Sequence, residues 1–497
     1  MIIMRRAFCF PLSLCYRFIK KEGKSEISLW FSLIVTAFVF VVYLIWHFMR
    51  RDYTLRKESS MSNRTYTKWV ACFGNATSIT DRKECVYSKN LTLRYPVKMC
   101  FYGSKLRFRF SNETGTEPVV ITRATVARSA GAREIDPDTL AYITKDGSKR
   151  MVIEPGCELT SDAIDFSVER GETLQVSIYL AECTQMNSGT LITGPLSKGF
   201  YAYGDFADSA ELDDDLTRNT NWYYFLNTID VFTEEQNKAL ICYGDSITAQ
   251  SWPDYLTLRL EKEGIENVSV IRRAISGTKI LRQYDCITYQ AYGKKGEKRF
   301  PVEVNTTGAY AVLIQHGIND IIHPVGVEVN RFRPWSDLPT VDEMIEGTKK
   351  FYIEEARKRG LKVYAGTLVP IWNWRTYEEF RNDMRNAFNE WLRNSDLFDG
   401  VADFDEAIRD PEFPKAFGPG FDSGDHLHPS EAAYQAMAYA IPENWLQMIP
   451  RREWIEEGLG NNWGEGFLRA HWKKFDEYVL FGRLDLILFK GSSASGS

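Results

Sequence analysis

Ala239-Leu-Ile-Cys-Tyr243, running into Gly244-Asp245-Ser246-Ile247, is the stretch on which the fold turns. Five apolar residues in a row, too few for a helix and closed by a glycine, read as a strand buried on both faces. The pattern of Trp252–Glu263 that follows reads as a helix. A serine at such a strand-to-helix turn has its hydroxyl exposed and its backbone N–H directed at whatever binds there, which suits a nucleophile. A simple N-cap serine is the bland alternative, and the tripeptide alone does not separate the two.

Outward from this stretch the rhythm repeats. Val268–Ile275, Tyr310–Gln315, Leu361–Thr367 and Val401–Phe404 read as strands, and Asp342–Arg359, Tyr377–Arg393 and Ser430–Ile441 as helices. Thr340-Val-Asp-Glu343 supplies a capping box for the first of these helices. Such alternation predicts an α/β unit over 233–445, a parallel sheet covered on both faces, with ligands bound beyond the carboxyl ends of its strands. Upstream, residues 67–232 carry short alternating runs such as Lys105–Phe110, Val119–Thr122 and Leu174–Tyr179 between turn residues, the pattern of a β-sandwich. The segment 446–497 has no assignable fold, and Gly491–Ser497 reads as a flexible end.

The whole chain has 497 residues, 44% hydrophobic and 14% aromatic, enough apolar side chain for full cores, so disordered and collagen-like chains are excluded. Its net charge of -5 hides an asymmetry: residues 1–57 hold 10 Lys/Arg against 3 Asp/Glu, and the rest 51 against 63. An acidic body argues against nucleic-acid binding. Ile27–Phe48 is an uncharged apolar stretch of 22 residues, about 33 Å as a helix, which predicts a single transmembrane span. A cleaved signal peptide would have a shorter apolar region ending in small residues. Residues 1–26 are then cytoplasmic, 49–66 a stalk, and the body extracellular or luminal. Six N-x-Ser/Thr sequons, at Asn63, Asn75, Asn90, Asn112, Asn267 and Asn305, all follow the span and agree with a glycosylated outer body. Of nine cysteines, Cys9 and Cys15 precede the span and Cys242 sits in an apolar strand, leaving Cys72, Cys85, Cys100, Cys157, Cys183 and Cys286 as possible disulfide partners.

Three further motifs fall where the sheet places a site: Ser276-Gly277 ends the second strand, Gly317-Ile-Asn319-Asp320 ends the third, and Asp425-His-Leu-His428-Pro429 precedes the last helix. With these in register the chain resembles the SGNH or GDSL hydrolases, with Ser246, Gly277, Asn319 and His428 at the four family positions. Ser104–Pro118 and Asn221–Val231 also look like the N-terminal β domain of one secreted branch of that family. The resemblance implies a flavodoxin-like three-layer fold and a serine esterase acting on short acyl groups, often acetyl, on carbohydrate or small alcohols.

The chemistry agrees. A neutral hydroxyl needs a base within reach, which His428 supplies, while Asp425 accepts from its Nδ1–H and fixes the tautomer. The backbone N–H groups of Ser246 and Gly277 and the Asn319 amide are the expected oxyanion donors. No metal or organic cofactor is called for: H-E-x-x-H and C-x-x-C are absent. Asp245 and Asp320 read as loop-orienting groups, His426 as a positioning or exposed residue, and His316 and His323 as structural. Ile371-Trp-Asn-Trp374 is either a carbohydrate-stacking wall or core packing. Two rival functions share these residues, a membrane-tethered O-acyltransferase using the same acyl-enzyme and a non-catalytic binding module. The residues do not specify the oligomeric state.

Overall fold

Apolar strands end to end require cover on both faces, and the chain provides it. The computed structural model describes residues 64–79, 87–212, 217–283, 293–323 and 335–446. The expected span at 27–48, the segment 1–26, the stalk up to 63 and the tail from 447 lie outside the described residues, as do Asn63, Cys85 and Cys286. Among the described residues no helix is long and apolar enough to cross a membrane.

Five parallel strands lie in the order Val268–Ala274, Lys238–Gly244, Ala309–Gln315, Lys362–Gly366, Gly400–Ala402, so the first in sequence sits second in space. In such a doubly wound sheet the chain leaves in opposite directions from Lys238–Gly244 and Ala309–Gln315, and a crevice opens beyond their carboxyl ends. The helix Trp252–Glu263 ends on Gly264, whose φ of 71° closes it in the left-handed region. The capping box at Thr340 is present, each partner bonding the other's backbone N–H. Asp342–Arg359 forms as Val341–Thr348 and Glu354–Lys358 joined through a π-helical turn, Lys349–Ile353. The wider turn sets Tyr352 inward, where its hydroxyl lies 2.8 Å from His316 Nδ1. The helix Gly296–Glu303 is not foreseen from sequence, because its charged residues and internal Pro301 show no apolar stripe.

Among the described residues the N-terminal half holds three two-stranded antiparallel sheets and two larger ones. One runs Lys68–Gly74, Leu226–Thr233, Gly103–Ser111, Ile164–Val168; the other runs Arg218–Thr220, Gly199–Tyr203, Leu91–Lys98, Thr173–Leu180, Arg123–Arg128, Ala141–Ile143. Inward side chains from both, Leu106, Phe108 and Phe110 with Leu93, Tyr95, Val176 and Ile178, share one core. That core continues into the parallel sheet: Val70 and Ala71 belong to the same buried cluster as Ala239, Ile271 and Ala274.

Hydrogen bonds seal the junction. Ala71 N donates to Thr307 O at 2.9 Å, and Ser269 Oγ donates to Ala71 O at 2.6 Å. Arg273, 2% exposed, extends from the edge strand and donates to Thr228 Oγ1 at 2.7 Å and to the Asn75 and Asn227 carbonyl oxygens. Burial pulls its guanidinium down to about 10, against the opposing pull of Glu303. Backbone and side-chain oxygens of the β half thus replace the water around this charge.

Of the possible disulfide partners, Cys72, Cys100, Cys157 and Cys183 are free thiols. Cys72 is buried beside Met99 and behaves as a small apolar side chain. Two sequons are corrected as acceptors. Asn112 is fully buried with its amide donating to the Glu117 and Ile153 carbonyls, and Asn75 is 1% exposed, so neither amide is reachable. Asn90 and Asn305 are exposed and Asn267 is half-buried.

Because the core is continuous, truncating Ile271→Ala should cost about 2–5 kcal/mol. Urea denaturation followed by tryptophan fluorescence and far-UV dichroism should shift as one transition; two separated transitions would contradict a shared core.

Candidate active site

Why a glycine precedes Asp245 is steric. A Cβ on Gly244 would lie 2.2 Å from Thr248 Oγ1 and 2.5 Å from Gln315 O, so only glycine lets the first strand turn against the third. Asp245 then caps the short helix Ser246–Ala249, its Oδ1 accepting from Ile247 N at 3.1 Å. Ser246 stands at the mouth of this turn, half-buried.

The loop after Ile408 returns the chain to the same edge. His428 Nε2 lies 2.9 Å from Ser246 Oγ, and His428 Nδ1 lies 2.6 Å from Asp425 Oδ2. Asp425 Oδ1 also accepts from the backbone N–H groups of Leu427 and His428, at 3.0 and 2.8 Å. Partial burial pushes the Asp425 carboxyl up, but the hydrogen bonds from the His428 ring and these two N–H groups outweigh it and hold the carboxyl well below the usual range. An ionised Asp425 orients the imidazole with Nδ1–H toward itself and Nε2 as acceptor toward the serine.

Two contacts outside the motifs hold the loop in register. Ser430 caps the helix Glu431–Ala440, and Glu431 accepts from Ser251 Oγ at 2.7 Å and Tyr255 OH at 3.0 Å, clamping the segment that carries His428 to the helix that follows the serine. Glu431 has no signal in sequence beyond an acidic residue in a first helical turn.

Gly277 adopts φ 80°, which turns the loop after the second strand back over the site. Asn319, 1% exposed, donates one amide hydrogen to Thr278 O at 3.2 Å, which fixes the side chain and leaves its second hydrogen unassigned. Asp320 accepts from Ile280 N and Leu281 N at 2.8 and 3.1 Å, tying the third-strand loop to the residues that follow Gly277. The four loops carrying Ser246, Gly277, Asn319 and His428 therefore share one sheet edge.

The remaining sequence candidates fall outside this relay. His426 Nδ1 contacts Asp422 Oδ2 at 2.5 Å, a second histidine–carboxylate pair on the same loop, and its ring is 43% exposed. His316 is buried between Thr278 and Tyr352, and burial holds it well below its usual pKa, hence neutral. His323 is buried at the end of the helix Ile318–Ile322. Trp372 packs edge-on against Tyr377 and Phe413 with Lys415 over its ring, so packing contacts account for it.

Burial splits the carboxyls of the site. Asp425 is held low, whereas desolvation drives Asp245 up to about 7, only partly offset by Ile247 N–H, and its Oδ2 has no hydrogen-bond partner. Because the folded pKa stands above the ordinary 3.8, the protonated form favours folding. This contribution is full below about pH 4 and is lost as pH rises through about 7. Asp245→Asn keeps the capping oxygen without the charge. Thermal melts should show the variant gaining on the parent between pH 5 and pH 8; a constant difference would show that Asp245 does not titrate there.

Comparison with known proteins finds a family match over part of the chain. Residues 242–436 match the GDSL-like lipase/acylhydrolase family. Similar solved structures include a GDSL-like lipase from Parabacteroides merdae (16% identity, 43% of this chain and 97% of that one, TM-score 0.32). Others are an acetylxylan esterase from Geobacillus stearothermophilus (17%, 44% and 100%, TM-score 0.31) and a G-D-S-L family lipolytic protein from Desulfitobacterium hafniense (16%, 42% and 100%, TM-score 0.30). No curated protein matches the chain.

Proposed function

We propose that this carboxylic ester hydrolase, whose residues 242–436 form a GDSL-like lipase/acylhydrolase domain, removes short acyl groups, acetyl foremost, from carbohydrate or small alcohols through an acyl-Ser246 intermediate. The observation that carries the mechanism is the Ser246–His428–Asp425 relay, with contacts of 2.9 and 2.6 Å. His428 Nε2 takes the Ser246 proton as Oγ bonds to the acyl carbon, and Asp425 stabilises the imidazolium without itself accepting the proton. The tetrahedral oxygen is held by Ser246 N–H, Gly277 N–H and the second amide hydrogen of Asn319. Collapse breaks the carbon–oxygen bond to the alcohol, which leaves with the proton from Nε2. Water then attacks the acyl carbon, His428 takes its proton, and the acid departs as Ser246 regains its hydrogen. The substrate class follows the likeness of the motifs to SGNH enzymes.

Ser246→Ala should abolish turnover of aryl acetate and labelling by a fluorophosphonate, while Asn319→Ala should lower kcat about 100- to 1,000-fold. Persistent labelling of the alanine variant would refute Ser246 as nucleophile. Free acid, rather than acylated acceptor glycan, is the expected product when both are measured.

We further infer a single-pass tether through Ile27–Phe48 with the body outside or in a lumen, supported by the length of that apolar stretch and the exposed sequons at Asn90 and Asn305. Full-length chain should stay in the pellet after alkaline carbonate extraction and be released when residues 1–60 are deleted; release of the full-length chain would refute the tether.

A further inference from the structure

The buried guanidinium of Arg299 touches both halves of the catalytic edge. It is 4% exposed on the helix Gly296–Glu303. One arm, Nη1, donates to Thr278 Oγ1 at 2.6 Å, in the residue after Gly277. The other, Nη2, donates to Gly244 O at 2.8 Å, two residues before Ser246, and to Arg273 O at 2.9 Å. Its Nε lies 3.0 Å from Glu303 Oε1, and the Tyr243 ring lies 4.2 Å beneath its plane. Thr278 in turn donates from Oγ1 to Ile275 O at 2.8 Å and meets neutral His316 at 3.0 Å, while its carbonyl receives Asn319. Thr278 therefore links Arg299 to Ile275 in the same loop, to His316 and to Asn319.

We propose that Arg299 is a positioning residue whose two arms fix the spacing between the nucleophile turn and the Gly277 loop, so that the oxyanion donors converge on one point. The proposal rests on the reading of Ser246 and Gly277 as those donors. A planar fork can hold two acceptors at a set separation, which the single ammonium of lysine cannot. Charge alone would not require this geometry, because Glu303 already neutralises Arg299. The tether is also reachable: Arg299 and Glu303 line a cavity of about 260 Å³ between the β half and the parallel sheet, with Thr77, Glu113, Thr114 and Val302.

The test compares the parent with Arg299→Lys, Arg299→Ala and Thr278→Val, each measured per active site by fluorophosphonate titration. A displacement near 1 Å costs about 100-fold, so kcat on aryl acetate should fall roughly 10- to 100-fold in the Arg299 variants with KM within about threefold. Affinity for phenylboronic acid, which forms a tetrahedral anion on the serine, should fall with kcat. Millimolar ethylguanidinium should restore activity to Arg299→Ala through the cavity, and Thr278→Val, which removes only one acceptor, should lose less. A merely structural role would lower the titre and the melting temperature while the remaining sites turn over at the parent rate; that result overturns the proposal. If the Arg299 variants fail to fold, parent-level kcat and boronate affinity in Thr278→Val overturn it equally. A parent that hydrolyses no ester, or a Ser246→Ala variant that still does, refutes the function reading instead.

Discussion

The 2.9 Å contact between His428 Nε2 and Ser246 Oγ joins segments 182 residues apart, and the rest of the structure serves to keep it. Neither partner is rigid alone: one lies on a four-residue helix, the other on an irregular loop with His426 at φ 65°. Their separation is set by the parallel sheet below and by the Glu431 clamp to Ser251 and Tyr255 above. A hydrogen bond of this kind contributes little net stability. Its geometry is what matters, so the cost of holding it falls on the surrounding packing.

Desolvation decides the charges at this edge. Asp425, half in water and given four hydrogen bonds, stays ionised, and Asp245, fully buried with one oxygen unpaired, is driven toward neutrality at the residue before Ser246. Arg273 shows the converse, a cation kept in the core because carbonyl and hydroxyl oxygens of the β half surround it. The β half is thereby built into the hydrolase: its first strand supplies Val70 and Ala71 to the core beneath the edge strand.

Much of this was legible from the chain alone. The apolar runs ending near Gly244, Gln315 and Gly366 identified parallel strands within a residue or two, because strands buried on both faces read as near-continuous apolar runs, while the edge strand Val268–Ala274 carries Ser269, Arg272 and Arg273 among its apolar residues. Gly-Asp-Ser, Ser-Gly and Gly-Ile-Asn-Asp sat at the carboxyl ends of strands, so their residues shared an edge once the strands were parallel, and Asp-x-x-His preceded the helix Glu431–Ala440. Arg299 was not legible, since a lone arginine in a charged segment looks solvated and its partners come from Gly244 and Thr278. The buried state of Asn75 and Asn112 was likewise invisible, as a sequon carries no information on burial.

By itself, then, the sequence determined the alternation of most strands and helices in the parallel-sheet half, the residue types at each turn and hence the available chemistry, because periodicity and local steric rules act over a few residues. Only the tertiary structure decided which groups ionise, which thiols stay apart, which amides are reachable and which side chains hold the Gly277 loop. Those properties depend on distance and solvent access between segments far apart in the chain, and such quantities exist only once the core has closed.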